Sequence, residues 1–458
     1  MNVLHVNAFD VAGGAERVAA NLAEAAQRRG VSTQSLVGHK LKADSAAVQI
    51  PDNSLRFRWL KFWEEAGGLA FRQGWRGVPR LCSSIRSLGH FTDFLGLEDF
   101  HFPATHHLLR FCAEKPDIVH IHNMHGGYFD LRALPQLSKE VPVVITLHDA
   151  WLLSGHCAHS FDCDRWKTGC GHCPDLKIYP AVQRDLTAVN WRRKLRVYSR
   201  SRLYVATPCR WLMDRVHRSM LNAAIVEQRV IHNGVDLDVF YPRSKDKCRQ
   251  ILGLPEDAAI IMFAANAIRA NPFKDFATLE RALNTIAAKY QGRLIALAVG
   301  ENAETTRIGG HELRFVPFEG DASKMSLYYG AADVYVHPAK ADTFPNSVIE
   351  AMACGRPVVA TAVGGIPEQV SSLPGFAEVQ GNSDSSPTGI LVRPGNAEDL
   401  SHAILHLLAD QQLSRNLGDQ AARKAQISFD VVKQADAYLD WYREILLSWS
   451  SQGRGTSL

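Results

Sequence analysis

The chain has 458 residues, a length that favours two or three domains over a single hydrophobic core. Its apolar content of 46% and charged content of 21% are ordinary for a globular protein. The formal net charge of +4 is too small for this length to indicate a broad nucleic-acid-binding surface, so no nucleic-acid partner is expected.

The chain starts with an apolar strand directly after Met1, without the basic segment of a signal peptide. The apolar runs are too short and too interrupted to predict a membrane-spanning helix. Nine cysteines, an odd number, do not suggest a secreted disulfide framework. We therefore expect a cytoplasmic protein.

Short apolar strands alternate with helical segments in the first half of the chain. The first strand is predicted over 2–9, and the glycine pair Gly13-Gly14 separates it from an alanine-rich helix over 15–30. Further strands are predicted over 117–123, 142–149 and 203–208.

The second half repeats this pattern. Its strands are predicted over 258–265, 294–300, 332–338, 357–361 and 389–392. Continuous apolar strands with helices between them indicate a parallel sheet covered on both faces. Two such sets predict an α/β protein of two doubly wound, Rossmann-like domains that face each other across a cleft.

Asn-Gly and Pro punctuation near 230–242 predicts the domain boundary. The first domain is expected over 1–228 and the second over 229–430. A long amphipathic helix over 431–449 is expected to complete the first domain, and 450–458 to be a disordered tail.

Ligands of parallel sheets bind at the carboxyl ends of the strands, so the residues after each strand are candidate site residues. Gly13-Gly14 allows a close backbone approach to a ligand, although a plain tight turn explains it equally well. Arg269 and Lys274 follow a strand and suit a diphosphate; the alternative is two solvated surface charges. His148 ends a strand and is either a buried core group or a hydrogen-bond partner of a substrate hydroxyl.

Two acidic residues lie eight positions apart on either side of a proline. Asp342 is predicted in a loop, and Asn346 or Ser347 is predicted to cap a new helix that carries Glu350 in its first two turns. A carboxylate can accept two hydrogen bonds from a vicinal diol. Glu350 therefore suits a ribose and Asp342 a sugar; alternatively, Glu350 only complements its helix dipole.

Four of the nine cysteines lie close together between residues 157 and 173. Their spacing fits a tetrahedral structural Zn²⁺ site, in which His156, His159 or His172 could replace one ligand. Unliganded thiols and a redox role are the alternatives. The cysteines are Cys157, Cys163, Cys170 and Cys173.

Residues 55–86 combine basic and aromatic side chains in a helical pattern. Such a segment is typical of a peripheral anchor on an anionic inner membrane surface. An ordinary insertion helix with buried aromatics is the alternative.

Several of these segments resemble one family. "ADTFPNSVIEAMACGRPVVATAVGGIPE" resembles the E-x7-E segment and glycine-rich turn of retaining GT-B glycosyltransferases of family 4. "VIHNGVDLDVFYP" and "ATPCRWL" resemble its interdomain elements. "HNMHGGYFDLRAL" and "TLHDAWLLSGHCAHSFDCDRWKTGCGHCP" resemble its bacterial exopolysaccharide subgroup, which includes colanic-acid-type enzymes.

The resemblance implies roles for the candidate residues. Glu350 would bind the donor ribose, and Asp342 would stand, one methylene shorter, where the family usually has its first Glu. His148 would meet the donor sugar at the reaction centre, and Arg269 and Lys274 would hold the diphosphate. The remaining donor-site residues would be Gly13, Gly14, Phe344, Pro345, Asn346 and Glu368.

The implied activity is transfer of a hexose from a nucleotide sugar to a saccharide acceptor, lipid-linked or oligosaccharide, with retention and no catalytic metal. Catalysis would rest on positioning and charge stabilisation. The alternatives are a nucleotide-sugar epimerase, a sugar phosphorylase, for which no pyridoxal phosphate lysine is evident, and a non-catalytic nucleotide-sugar-binding protein.

Overall fold

The computed structural model describes the chain except for residues 12, 53–54, 74, 76–77, 80, 83–94, 377–385 and 452–458. The chain divides into two compact units. The first comprises 1–207, 212–231 and 436–458, and the second comprises 208–211 and 232–435. The boundary between the units lies a few residues beyond the predicted one.

The first unit is built on a seven-stranded sheet in which all strand pairs are parallel. Its strands are β1 Asn2–Phe9, β2 Ser32–His39, β3 Val48–Gln49, β4 Ile118–Ile121, β5 Val143–Thr146, β6 Leu203–Thr207 and β7 Ile225–Val230. They lie in the spatial order β3-β2-β1-β4-β5-β6-β7, so the winding direction reverses between β1 and β4.

Helices and short 3-10 turns connect these strands. The helices are α1 Gly14–Gln27, α2 Leu55–Arg72, α3 Leu134–Glu140, α4 Thr187–Tyr198 and α5 Arg210–His217. The 3-10 segments are Pro103–Phe111, Leu131–Ala133, Trp151–Leu153, Arg165–Lys167 and Met220–Ala224.

The second unit has its own seven-stranded sheet, parallel except for the antiparallel edge strand β10. Its strands are β8 Ala259–Ala264, β9 Leu294–Val299, β10 Thr306–Ile308, β11 His311–Val316, β12 Val334–His337, β13 Val358–Thr361 and β14 Gly389–Val392. The order β10-β11-β9-β8-β12-β13-β14 places the reversal of winding between β8 and β12.

Polar caps start most helices of the second unit. Ser244, Asp275, Asp321 and Asn396 each accept a hydrogen bond from a backbone N–H in the first turn of the following helix. The helices are α6 Lys245–Leu252, α7 Phe276–Lys289, α8 Ala322–Ala331, α9 Asn346–Ala353, α10 Ile366–Gln369, α11 Ala397–Ala409 and α12 Gln411–Ser428.

The predicted fold class is confirmed, because both units are α/β with doubly wound, mainly parallel sheets. Each predicted strand is present, usually shortened at its ends. The sequence interpretation missed β2, β3, β7, β10 and β11. These strands lie towards the sheet edges and carry polar, partly exposed residues, so they lack the continuous apolar run of a central strand.

The last helix, α13 Val431–Ser451, closes the core of the first unit. The Tyr438 hydroxyl is hydrogen-bonded to Thr146 (2.7 Å), and the Tyr442 hydroxyl to Nδ1 of His120 (2.5 Å). The helix extends to Ser451, so the predicted tail begins too early; residues 452–458 lie outside the described part of the chain.

Within the described residues, no helix is both long enough and apolar enough to cross a lipid bilayer. Helix α2 coincides with the first part of the predicted anchor segment 55–86, whose later residues lie largely outside the described ones.

Candidate active site

The loops that follow β8 and β12 meet where the winding of the second sheet reverses. The backbone N–H of Asp275 donates to the carbonyl of Pro338 (2.6 Å), and that of Lys340 donates to the carbonyl of Phe273 (2.9 Å). The two loops are therefore tied together, which brings residues far apart in sequence to the edge where parallel sheets bind ligands.

This tie places Lys274 beside Asp342. The two side chains form an ion pair, and Nε2 of His337 lies 3.0 Å from the same carboxylate oxygen of Asp342 and 3.3 Å from the Lys274 Nζ. Burial alone would raise the pKa of Asp342, but the Lys274 charge and the His337 hydrogen bond hold it well below its usual range. Burial and the Lys274 charge lower the pKa of His337. Asp342 is therefore an anion at neutral pH.

Arg269 is held in the loop after β8 by Glu301, which follows β9. The Glu301 carboxylate accepts from the backbone N–H of Arg269 (2.8 Å) and from its Nε (2.5 Å). Both cations predicted to hold a diphosphate are thus ion-paired to carboxylates of the second unit.

Helix α9 carries Glu350 on its buried face. The helix begins at Asn346 with Pro345 as its N-cap, so the predicted side-chain cap by Asn346 or Ser347 is wrong. Proline fixes its own φ angle near the helical value and ends the preceding loop without a side-chain cap. Glu350 lies in the second turn, is 4% exposed, and accepts a hydrogen bond from the Tyr329 hydroxyl (2.9 Å).

His232 and Asn233 hold the segment between Asp342 and α9 in place. The Phe344 ring stacks on His232 with the ring planes 4° apart. The Asn233 amide donates to the carbonyl of Phe344 (3.3 Å) and to Oδ1 of Asn346 (3.0 Å). Phe344, Pro345 and Asn346 are therefore held in one arrangement.

The turn after β13 packs on the same loop. Gly364 has a φ of +57°, and a Cβ there would lie 1.7 Å from the Asp342 carbonyl oxygen. The carboxylate of Glu368 accepts from the backbone N–H groups of Arg210 and Trp211, at 2.9 Å each. Glu368 thus has a structural role, and its role towards a donor stays a prediction.

In the first unit, Gly13 and Gly14 are exposed at the start of α1, with Gly13 as the N-cap. A Cβ on Gly13 would lie 2.4 Å from a carboxylate oxygen of Glu16. The φ of Gly13 is −103°, which any residue can adopt. Glycine is therefore favoured here because it has no side chain, not because of its backbone conformation.

His148 ends a row of three imidazoles, in which His5 and His122 are buried and His148 is half-buried. Its Nε2 lies 3.3 Å from Nδ1 of His122, and Nε2 of His122 lies 3.2 Å from Nδ1 of His5. Burial lowers the pKa of both His5 and His148 to about 4, and that of His122 well below its usual value. The row is therefore neutral at physiological pH.

The far end of the row fixes its tautomers. Nε2 of His5 is buried without a hydrogen-bond partner, and an unpaired buried N–H costs more than an unpaired lone pair. His5 therefore carries its proton on Nδ1 and donates to His122, which in turn donates from Nδ1 to His148. This direction leaves the proton of His148 on Nδ1.

Within the described residues, the donor atoms of His5, His120 and His122 lie within 4.8 Å of one another, as in a metal site. However, both ring nitrogens of His120 are hydrogen-bonded, to Thr146 (2.7 Å) and Tyr442, and both nitrogens of His122 face other imidazoles. A metal ion would have to displace these bonds, so the cluster is a hydrogen-bonded core.

A cavity of about 530 Å³ opens in the first unit. It is lined by aromatic, acidic and imidazole side chains, including Trp151, Asp99 and His125. Nε2 of His125 donates to Asp149 (2.7 Å). Burial opposes protonation of His125, but the Asp149 carboxylate outweighs it and raises the pKa of His125.

A buried lysine holds two walls of this cavity. Lys194 is 0% exposed and donates to the Glu98 carboxylate (2.9 Å) and to the carbonyls of Trp151 (2.9 Å) and Ser154 (3.0 Å). Its ammonium also lies 3.8 Å from the centre of a Trp151 ring. Losing the lysine would leave Glu98 buried without its cation.

The four clustered cysteines line one small cavity in the segment that follows Ser154. None of the four forms a disulfide.

Comparison with known families agrees with this architecture. Residues 12–239 match the model for "Glycosyltransferase Family 4", and residues 258–410 match that for "Glycosyl transferases group 1". Together the two matches span most of the chain. The chain belongs to the family 4, group 1 type of glycosyltransferases.

Curated relatives match over part of their length. The chain is 31% identical over 255 residues to D-inositol 3-phosphate glycosyltransferase of Saccharomonospora viridis, covering 52% of this chain and 54% of the relative. It is 25% identical over 267 residues to the putative colanic acid biosynthesis glycosyl transferase WcaC of Escherichia coli, covering 54% and 60%. The aligned region thus spans little more than half of each relative.

Solved structures share the fold. Sucrose-phosphate synthase of Thermosynechococcus elongatus superposes with a TM-score of 0.63 at 19% identity, covering 98% of this chain and 99% of that one. Anabaena Alr3699/HepE, solved in complex with UDP-glucose, gives 0.58 at 17% identity, covering 98% and 100%. These likenesses support the two-domain GT-B fold.

Sequence reasoning missed the groups that hold the predicted residues in place. His337, Glu301 and Asp149 each lie at or just after the end of a strand, the same position that singled out Lys274 and His148. That position could have identified them, because it is where ligand-binding side chains gather in parallel sheets. Tyr329 and Lys194 lie inside helices, and no sequence signal marks them.

Proposed function

We propose that the protein is a retaining glycosyltransferase that moves a hexose from a nucleotide-sugar donor to a saccharide acceptor in bacterial surface or exopolysaccharide synthesis. Family membership supports the reaction class. The names of the relatives support a sugar acceptor or a polyol phosphate without choosing between them. We favour a lipid-linked saccharide because of the exposed face of α2 described below.

One observation carries the proposal: the loops after β8 and β12 join the half-buried Lys274 and Asp342 and the buried His337 into one cluster. An ordered cation there would compensate the charge that develops on a departing diphosphate. Asp342, held ionised, would accept hydrogen bonds from sugar hydroxyls, and Glu350 from the ribose. Arg269 would assist the diphosphate by exchanging Glu301 for a phosphate oxygen.

The cavity in the first unit is our candidate for the acceptor. Its aromatic wall at Trp151 offers a stacking face for a sugar ring, and Asp99 offers a hydroxyl acceptor. His125 directs its Nε2 proton towards Asp149, and its Nδ1 faces the Tyr179 hydroxyl at 3.4 Å. Nδ1 would accept a hydrogen bond from an acceptor hydroxyl in exchange for that of Tyr179.

The proposed chemistry is a front-face displacement. The bond from the anomeric carbon to the phosphate oxygen breaks as the acceptor oxygen attacks from the same side, and the leaving phosphate takes the acceptor proton. We propose that His148, neutral and protonated on Nδ1, donates a hydrogen bond to the donor sugar. No catalytic metal is required, because Lys274 and Arg269 supply the positive charge.

The test is a thermal-shift screen of nucleotide sugars, followed by assay of the best ligand with candidate acceptors. We expect one donor to stabilise the protein and its sugar to be transferred with the anomeric configuration unchanged, as read by NMR of the product. Tight binding without transfer or hydrolysis would indicate a non-catalytic binding protein. Conversion of the donor without an acceptor would indicate an epimerase.

Glu350→Gln tests the donor site itself. The glutamine still offers Tyr329 an oxygen but loses the charge that strengthens hydrogen bonds to ribose hydroxyls, so we expect donor affinity to fall about tenfold. Glu280→Gln, on the exposed face of α7, is the matched control. Equal donor affinity of the two variants would overturn the assignment of Glu350.

We also propose that α2 contacts an anionic membrane. Phe62 and Leu69 are 60% and 58% exposed and lie seven residues apart, on one helix face, with Arg58 and Arg72 exposed at its two ends. An apolar face flanked by arginines is complementary to anionic lipid. We expect the protein to float with anionic vesicles at low salt and Phe62→Asp to abolish this; flotation of that variant, or none of the wild type, would contradict the proposal.

A further inference from the structure

The segment between the 3-10 turn Trp151–Leu153 and α4 has an irregular backbone. Across residues 154–186 it contains a single 3-10 turn, Arg165–Lys167, as regular structure. Irregular segments of this length inside a compact domain are uncommon and need another source of order.

The backbone of this segment also adopts costly conformations. Phe161, Cys170 and His172 have φ angles of 45°, 52° and 48°, in the left-handed region that disfavours residues with a Cβ. Such a turn persists only where the surroundings fix it.

No disulfide links the four cysteines of the segment in this structure, so cross-links do not account for this order. The four cysteines line one cavity of about 20 Å³, enough for a single ion or water. The backbone N–H of Gly155 points at the sulfur of Cys170 (3.3 Å), an interaction that also stabilises a metal-bound thiolate.

We propose that this cavity is a structural zinc site, with the thiolates of Cys157, Cys163, Cys170 and Cys173 as its four ligands. On binding, four Zn–S bonds form and the thiol protons are released to solvent. Among the described residues, no three of these sulfurs lie within 4.8 Å of one another. The loop therefore contracts around the ion, because tetrahedral zinc thiolates require sulfur separations of about 3.8 Å.

The site has a consequence for the larger cavity. His156 borders both cavities, with Nε2 3.3 Å from the sulfur of Cys173 and Nδ1 3.1 Å from the carbonyl of Pro180. Pro180 also lines the larger cavity. Zinc would thus fix one wall of the proposed acceptor site without taking part in the chemistry.

The test is metal analysis of the full chain purified without chelator. We expect about one zinc per chain in the wild type and in Cys112→Ser, a cysteine outside the cluster, and at least a fivefold loss in Cys170→Ser. His156→Gln should keep its zinc; loss of the metal there would overturn the four-thiolate set. Wild-type protein with reduced thiols and no metal, or with cysteines paired in disulfides, would overturn the site.

Because a cysteine variant can fail to fold, Co²⁺ exchange into wild-type protein gives an independent reading. Tetrahedral thiolate coordination produces intense visible d–d bands and sulfur-to-cobalt charge-transfer bands in the near ultraviolet, and weak bands typical of oxygen ligands would contradict it. Neither measurement depends on glycosyl transfer, so failure of the proposed function leaves the result readable.

Discussion

The position of the proton on His148 is set by His5, two imidazoles away along the row. Because His5 has no partner at Nε2, the hydrogen bonds of the row run from His5 through His122 to His148. The position of His148 after a strand makes it a candidate from sequence, but its tautomer depends on packing between β1, β4 and β5. No sequence pattern encodes that direction.

This argument predicts a difference between two variants of His122. An asparagine amide can replace the Nδ1–H donor to His148, whereas leucine removes it. We expect His122→Leu to lower kcat about tenfold more than His122→Asn, with similar KM for the donor. Steady-state kinetics give the ratio, and ¹⁵N NMR of the His148 ring gives the tautomer. Equal kcat values would show that His122 has only a packing role.

Among the elements, the turn between β13 and α10 determines where the Asp342 loop lies. Gly364 and Gly395 both have positive φ angles, 57° and 73°, but a Cβ on Gly364 would collide with the Asp342 carbonyl, whereas a Cβ on Gly395 has nothing within 4 Å. Alanine substitutions at these two glycines therefore distinguish the cost of the left-handed backbone from the cost of a collision with the Asp342 loop.

We expect Gly395→Ala to lower the free energy of unfolding by about 1 kcal/mol, the cost of the left-handed conformation alone. Gly364→Ala should cost more and also weaken donor binding, since the loop that carries Asp342 must move. Urea unfolding and donor titration check both. Unchanged donor affinity in Gly364→Ala would mean that the turn does not position Asp342.

The elements also show how far sequence reasoning reaches. Central strands such as β4 and β5 are buried on both faces, so they can be recognised in the sequence as short apolar runs. Edge strands such as β7 alternate between more and less exposed residues, so no apolar run marks them in the sequence. The start of α9 was misplaced because Asn346 is a favoured cap by composition, whereas Pro345 occupies the cap position in the fold.

At the scale of the whole molecule, the buried histidines make the first unit sensitive to acid. The pKa of His5 and of His148 falls from 6.5 to about 4 on folding because burial disfavours the charged ring. The unfolded chain therefore binds more protons between these values, and stability is full above about pH 6.5 and falls as the pH drops towards 4. Each of the two histidines accounts for a loss on the order of 3 kcal/mol in the free energy of unfolding as the pH falls from about 6.5 to about 4.

We expect the urea midpoint of the first unit to fall markedly between pH 7.5 and pH 5. His5→Leu should flatten this dependence, because one titrating group is removed from the core. His107→Asn, at an exposed position, should leave the slope unchanged. A wild-type midpoint independent of pH over this range would show that the row accommodates a proton.

Which residues share a site was harder to foresee than which residues matter. Lys274 and Asp342 were both singled out from sequence, yet their ion pair depends on β8 and β12 being neighbours in the sheet. Adjacency of strands separated by three other strands and two helices in sequence is set by the whole winding. The cysteines, in contrast, are close in sequence, and their spacing alone brought them together.

The tyrosines of α13 determine the order in which the two units can complete their folding during synthesis on the ribosome. Thr146 and His120 are made early, but their partners Tyr438 and Tyr442 emerge only after the entire second unit has been synthesised. The first unit can therefore complete its core only when translation is almost finished. The second unit can fold as it is synthesised. The first unit, although its synthesis begins first, is the last to complete its fold.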